Sequence, residues 1–213
     1  MPRVKPVAPE ALSEQVRLVM EQTEALMGFT PQDALTMAHL PAVMQAALGL
    51  TKAIYTAGGI GSDLKRLIGL VSSAAAGCQY CTGHTAFASE RHGVSASKLE
   101  GVWEFETHPE FSEAERAALR VAFHAGQTPN AVTDEMFGNL GAYFSTEQQL
   151  EIVAVIALFG FLNRWNSTLA MELEFLPSQA LARVGKSQAP GPVWAESING
   201  QGAATQARTG VIV

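Results

Sequence analysis

The two cysteines of the chain, Cys78 and Cys81, stand three residues apart, and His84 follows three further on. On a helix, positions i, i+3 and i+6 share an arc of about 120° on one face. Neighbouring positions on that face lie roughly 5–6 Å apart, inside the separation a disulfide bridges. One short segment can therefore carry a nucleophilic thiol, a resolving thiol and a base. The chemistry is redox: a thiolate attacks, and the sulfenic acid it becomes condenses with the second thiol to a disulfide. A structural staple is a poor account of the pair, because a bridge closing so short a loop removes little entropy from the unfolded chain.

Other uses of two cysteines fit less well. A zinc site needs further ligands, and His39, His92, His108 and His124 show no paired spacing toward the motif. Haem attachment wants histidine directly after the second cysteine, where Thr82 stands. No βαβ pattern of the thioredoxin kind surrounds the motif. Inert buried thiols are the plain alternative. No metal, flavin or haem is called for, and the expected cofactor complement is none.

The elements that must hold this segment read as helices. Apolar residues Leu12, Val16, Val19, Met20 and Met27 recur at helical spacing between Pro9 and Gly28. Pro31 suits a helix start, and Pro41 to Tyr55 is a further apolar helix. Ser62 opens a helix to about Ala76, Gly77 breaks it, and Cys78 opens the next, which runs to about Arg91. Ser112 with Glu115 forms a capping box, Thr133 to Phe144 a shorter helix, and Ser145 caps a long one expected to reach Glu174. No hairpin signal precedes residue 190, so the expected class is all-α. Residues 1–176 read as one helical domain. Residues 177–213, rich in Gly and Pro, read as an extended C-terminal tail whose apolar Val193-Trp194 and Val211-Ile212-Val213 would pack on a neighbouring subunit.

Composition narrows the classes. The 213 residues are 47% hydrophobic and 16% charged with net charge −6, a surface poor in charge that a homo-oligomer would cover economically. No basic patch suggests nucleic acid, and the acidic balance disfavours anionic membranes. The N-terminus lacks a signal-peptide core, the longest apolar run, Ile152 to Leu162, is short of a membrane span, and a cytoplasmic location is expected. Within the chain, Arg66-Leu67-Ile68-Gly69-Leu70-Val71 precedes Cys78, Tyr80 and Cys81 as Glu151-Ile152-Val153-Ala154-Val155-Ile156 precedes Asn163, Trp165 and Asn166. The match admits two explanations: chance likeness of two amphipathic helices, or a helical duplication in which only the first copy kept thiols.

The run Gly77-Cys78-Gln79-Tyr80-Cys81-Thr82-Gly83-His84-Thr85, preceded by Leu67 to Ser72 and followed by Phe111 to Arg116 and Leu162 to Asn166, resembles the carboxymuconolactone decarboxylase/AhpD-like superfamily over about residues 30–176. It is most similar to the alkylhydroperoxidase AhpD branch and its peroxidase-related relatives. The resemblance implies an all-helical fold assembled as dimers, trimers or hexamers. It also implies thiol peroxidase activity on hydrogen peroxide or organic hydroperoxides, with a dithiol or protein reductant as partner. It gives Cys81 the attack on the peroxide, Cys78 the resolution, and His84 a place in the proton relay. It also places a glutamate twelve positions before the first cysteine, where this chain has Arg66, and the relay histidine four after the second, where it has Thr85. Glu151, the counterpart of Arg66 in the second copy, is a candidate substitute for the missing acid. Two other functions stay open: a lactone enzyme of the decarboxylase kind, which would not need the cysteines, and a redox-responsive oligomeric protein without catalysis.

Overall fold

Ten α-helices account for residues 14 to 185 in the computed structural model, which describes residues 1–185, and no strand occurs among them. In order they are α1 (Glu14–Met27), α2 (Gln32–Met37), α3 (Pro41–Thr56), α4 (Ser62–Ala75), α5 (Gln79–Arg91), α6 (Ala96–Glu100), α7 (Glu113–Gly126), α8 (Asp134–Leu140), α9 (Thr146–Leu169) and α10 (Phe175–Gly185). Local chemistry sets most boundaries. Ser13, Ser95 and Thr133 accept backbone N–H bonds at the starts of α1, α6 and α8. Reciprocal capping boxes, Ser112 with Glu115 and Ser145 with Gln148, open α7 and α9. Gly28 and Gly77 take positive φ, 82° and 72°, where α1 ends and where the chain turns between α4 and α5.

The core sits around α4. Leu67, Ile68 and Leu70 are fully buried against α5, α7 and α9, with Leu119, Ile152 and Val155 facing them. Two close approaches require glycine. A Cβ at Gly126 would come within 2.5 Å of the Ser72 carbonyl oxygen, so α7 lies hard against α4 at that point. A Cβ at Gly83 would lie 2.8 Å from Leu173 and 3.0 Å from the Pro177 carbonyl, so α10 and the segment before it rest directly on α5. A smaller cluster, Val16, Met20, Leu35, Met37 and Met44, ties α1, α2 and α3 together against Leu162 and Trp165 of α9. By length and composition α9 would suffice to cross a bilayer, but Ile152, Val155, Leu158 and Phe159 are buried within the bundle, as in a core helix.

Beyond α8, which ends at Leu140 and not at Phe144, two boundaries differ from expectation in ways that shape the site. The long helix ends at Leu169, not Glu174: Ala170 turns left-handed at φ 52°, and Met171 N–H closes onto the Asn166 carbonyl. Arg3 holds that end from the far end of the chain, its N–H on the Leu169 carbonyl and its guanidinium on that of Thr168. The segment from 177, read as tail, continues instead as helix to Gly185. Pro177 falls in the first turn of α10, where its missing N–H removes no helical bond. Ala180 and Val184 are buried, and α10 packs mainly on α5. Val193-Trp194, Val211-Ile212-Val213 and the subunit contact expected of them lie outside the described residues.

Candidate functional site

Gly77 breaks the chain so that Cys78 becomes the N-cap of α5, with its sulfur accepting the Cys81 N–H at 3.5 Å. Cys81, one turn in, and His84, a turn further, then share the buried face of α5 as their spacing required. Both cysteines are free thiols and nearly inaccessible, 2% and 3% exposed. His84 stacks on Tyr80 with ring centres 4.2 Å apart and meets the edge of Phe29 at 5.4 Å.

The residues that engage this segment come from elements far apart in sequence. Glu174, released by the early end of α9, accepts from the Tyr80 hydroxyl at 2.8 Å and from the Gln32 N–H at 2.7 Å, and it contacts His84 Nε2 at 2.7 Å. Asp33, in the first turn of α2, lies 3.3 Å from the Tyr80 hydroxyl on one oxygen and accepts from Asn166 Nδ2 at 3.2 Å on the other. The same Asn166 amide reaches the Cys81 sulfur at 3.2 Å. A polar chain thus runs from His84 through Glu174, Tyr80, Asp33 and Asn166 to Cys81.

Electrostatics separates the two thiols. Hydrogen bonding from the Cys81 thiol lowers Cys78 most, against the opposing effect of burial; Ser167 and the N–H groups of Cys81 and Tyr80 add to it. Cys78 falls from 9.0 to about 6, as expected for a thiolate on the N–H groups of a helix start. Cys81 moves the other way, because its hydrogen is committed to Cys78 and it is deeply buried beside a neighbour that ionises first. The carboxyls part similarly. Burial lifts Asp33 above 3.8, more than the His84 charge and the Asn166 hydrogen bond lower it. For Glu174 burial also raises, but the His84 hydrogen bond and charge prevail and hold it below the ordinary carboxylate range.

The acid expected from the duplicated pattern lies elsewhere. Glu151 pairs with Lys65, which is 1% exposed and also donates to the Ile54 and Ala57 carbonyls at 2.8 and 2.5 Å. Arg66, at the position the resemblance gives to the relay glutamate, lies over the Tyr55 ring at 3.8 Å and 3.4 Å from His92 Nε2. Sequence reasoning missed Asp33 and Glu174 altogether. Asn166 was visible as the second-copy counterpart of Cys81, and the bond between them spans that same offset of 85 residues. No group of three or more His, Cys, Asp or Glu among the described residues is placed to hold a metal.

Comparison with known proteins agrees with this architecture. Residues 41–123 match the carboxymuconolactone decarboxylase family. The debrominase Bmp8 is 37% identical in its apo crystal structure, with a TM-score of 0.80 over 85% of this chain and 97% of that one. A Bmp8 variant in complex with 2,3,4-tribromopyrrole superposes equally well, at 36% identity. A peroxidase-related protein from Ralstonia eutropha JMP134, described as an alkylhydroperoxidase AhpD core, shares the fold at 23% identity, with a TM-score of 0.72 over 81% of this chain and 92% of that one. The uncharacterized protein YnjA of Escherichia coli K12 is 34% identical over 107 residues, half of this chain and 56% of that relative. This chain belongs to the carboxymuconolactone decarboxylase/AhpD-like superfamily.

Proposed function

We propose that the protein is a thiol-dependent reductase, a peroxidase of the AhpD-like kind, in which Cys78 and Cys81 cycle between dithiol and disulfide. The carrying observation is the geometry that sets the two sulfurs apart: Cys78 sits at a helix N-terminus, where N–H groups favour its thiolate, and buried Cys81 keeps its proton by donating it to Cys78, against the opposing Asn166 hydrogen bond. The resemblance gives the attack to Cys81, whereas this polarisation favours Cys78. Cys78 thiolate takes the terminal oxygen of a hydroperoxide, the O–O bond breaks, and the alkoxide leaves as alcohol on receiving a proton. Asp33, whose acid form burial favours and which shares Asn166 with Cys81, is the group assigned to supply that proton. Cys81 sulfur then attacks the Cys78 sulfenic acid, water departs, and the disulfide forms; one hydroperoxide and two thiols give one alcohol, one water and one disulfide. An external dithiol or protein reductant restores the pair by exchange.

The test is stopped-flow oxidation of the reduced protein by hydrogen peroxide and by an organic hydroperoxide, with thiols counted. Sulfenate trapped in Cys81→Ser and absent in Cys78→Ser supports these roles; the reverse returns the attack to Cys81. Oxidation no faster than that of free cysteine refutes the peroxidase. A second acceptor class is favoured by the likeness to Bmp8 at 36–37% identity over nearly its whole length: a halogenated aromatic. There, two thiols and one carbon–halogen bond would give a disulfide, a carbon–hydrogen bond and a hydrogen halide. Halide release coupled to thiol loss identifies it.

A further inference from the structure

Buried cysteines must be reached from somewhere, and one cavity is lined by a residue, Ser167, that hydrogen-bonds Cys78. It has a volume of about 280 Å³ and lies between the end of α4, the segment after α7 and the second half of α9. Ser167, itself exposed, lines the cavity and also hydrogen-bonds Cys78, so its hydroxyl joins the cavity wall to the reactive sulfur. Ala76, two residues before Cys78, forms part of the wall, and Ala125, Gly126, Ile156 and Gly160 supply the rest of its apolar portion.

Its polar equipment is specific. Of the described residues lining it, Arg164 alone is charged; its guanidinium touches Thr128 Oγ1 at 3.4 Å and forms no ion pair among the described residues. One residue away, Asn163 is 5% exposed, and its Oδ1 has no hydrogen-bond partner among the described residues. A buried acceptor left unpaired is costly, so a ligand supplying an N–H or O–H there binds with advantage. An unpaired guanidinium in the same cavity calls for an anion.

We propose that this cavity is the acceptor site and seats a small organic anion, a carboxylate or phenolate on a ring-sized apolar body. The anionic group sits on Arg164, a donor on Asn163 Oδ1, and the reducible bond turns toward Cys78. This rests on the reading of Cys78 and Cys81 as the source of electrons. It selects among acceptors: a hydroperoxide or haloarene carrying a negative group outruns its neutral counterpart.

Alkylation of Cys78 tests the site without requiring turnover. Iodoacetate and iodoacetamide have nearly the same size and differ in charge; each is reacted with the reduced full-length protein, and the adduct at Cys78 is followed by mass spectrometry. With the guanidinium in the lining of the same cavity, the iodoacetate-to-iodoacetamide rate ratio is expected to fall about tenfold in Arg164→Gln and largely to survive in Arg164→Lys. Benzoate protects Cys78 in the wild type but not in Arg164→Gln. A Cβ at Gly160 meets nothing within 4 Å, so a larger side chain is tolerated on this wall, and Gly160→Leu is expected to narrow the cavity and slow both reagents. A ratio that moves less than twofold in Arg164→Gln, or a wild-type rate in Gly160→Leu, overturns the proposal. If the charge selectivity holds but peroxide and haloarene leave the thiols untouched, the anion site stands and the reductase reading falls.

Discussion

Removing the Cys81 thiol should strip Cys78 of its principal stabiliser. In the folded protein the Cys78 thiolate accepts from the Cys81 S–H, the Ser167 hydroxyl and two backbone N–H groups, and the first of these matters most. At pH 7 a thiol with a pKa of about 6 is roughly nine-tenths ionised, against about 3% for an ordinary cysteine near 8.5, a thirtyfold difference in reactive species. A hydrogen bond to a charged group contributes about 1.5–3 kcal/mol, and 1.36 kcal/mol is one pKa unit. Cys81→Ala is therefore expected to raise the Cys78 pKa by about 1–2 units. Cys81→Ser keeps an O–H donor in the same place and should leave it low. The serine control separates loss of the donor from loss of the partner thiol.

The measurement is the pH–rate profile of iodoacetamide alkylation at Cys78, scored by mass spectrometry so that Cys81 does not contribute. The wild-type midpoint should fall near 6, that of Cys81→Ala clearly higher, and that of Cys81→Ser close to wild type. A wild-type midpoint above 8 would refute the thiolate assignment. Equal midpoints in all three proteins would show that the helix start alone sets the ionisation, and the reasoning that joins the two sulfurs would fail.

Two further predictions concern the groups around the thiols. Burial raises the Asp33 pKa, so its ionised form is penalised in the folded state: the cost is absent below the unfolded value near 3.8 and fully present once pH exceeds the raised folded value. Asp33→Asn should accordingly stabilise the protein at neutral pH by about 1–2 kcal/mol while slowing thiol oxidation, and thermal melts should show the gain vanish near pH 3. Lys65→Met strands the Glu151 carboxylate in the core and should cost about 3–5 kcal/mol in urea denaturation, recovered largely by adding Glu151→Leu. Neither change should move the Cys78 pH profile; a shift with Lys65→Met and Glu151→Leu together would reinstate Glu151 in the thiol relay.

What the sequence disclosed divides along the range of the interactions involved. The starts of α7 and α9 were legible because a capping box is written within four residues, Ser112 to Glu115 and Ser145 to Gln148. The break before Cys78 was legible because Gly77 alone accepts the positive φ that turns the chain there. The end of α9 was not, because its last carbonyls are held by Arg3, 165 residues away. That hidden boundary concealed the acid, since Glu174 at the end of an unbroken helix offers no sign of meeting Tyr80 and His84. Asp33 likewise announces only a helix start; its role follows from burial, which periodicity over six residues of α2 does not reveal.

In the proposed reaction, Arg66 in place of a glutamate need not impair thiol chemistry, because the work of that acid is divided between other groups. A base beside the cysteine is needed when the thiol must be ionised; here Cys78 is ionised at neutral pH by N–H, O–H and S–H donors that accept no proton themselves. What remains is delivery of a proton to the departing group, which calls for a carboxyl whose surroundings favour its acid form. Paired carboxyls driven apart by their surroundings are the usual sign of such a division. Burial drives Asp33 up, and His84 draws Glu174 down, with the Tyr80 hydroxyl between them. The Tyr80 hydroxyl joins the two carboxyls, and Asn166 fixes Asp33 and Cys81 in one arrangement. A carboxylate added at position 66 would face Tyr55 and His92, so Arg66→Glu should leave the Cys78 profile unchanged. A raised Cys78 pKa in that variant would mean that the thiolate feels the charge at position 66 after all, and that the donors at the start of α5 are not its sole support.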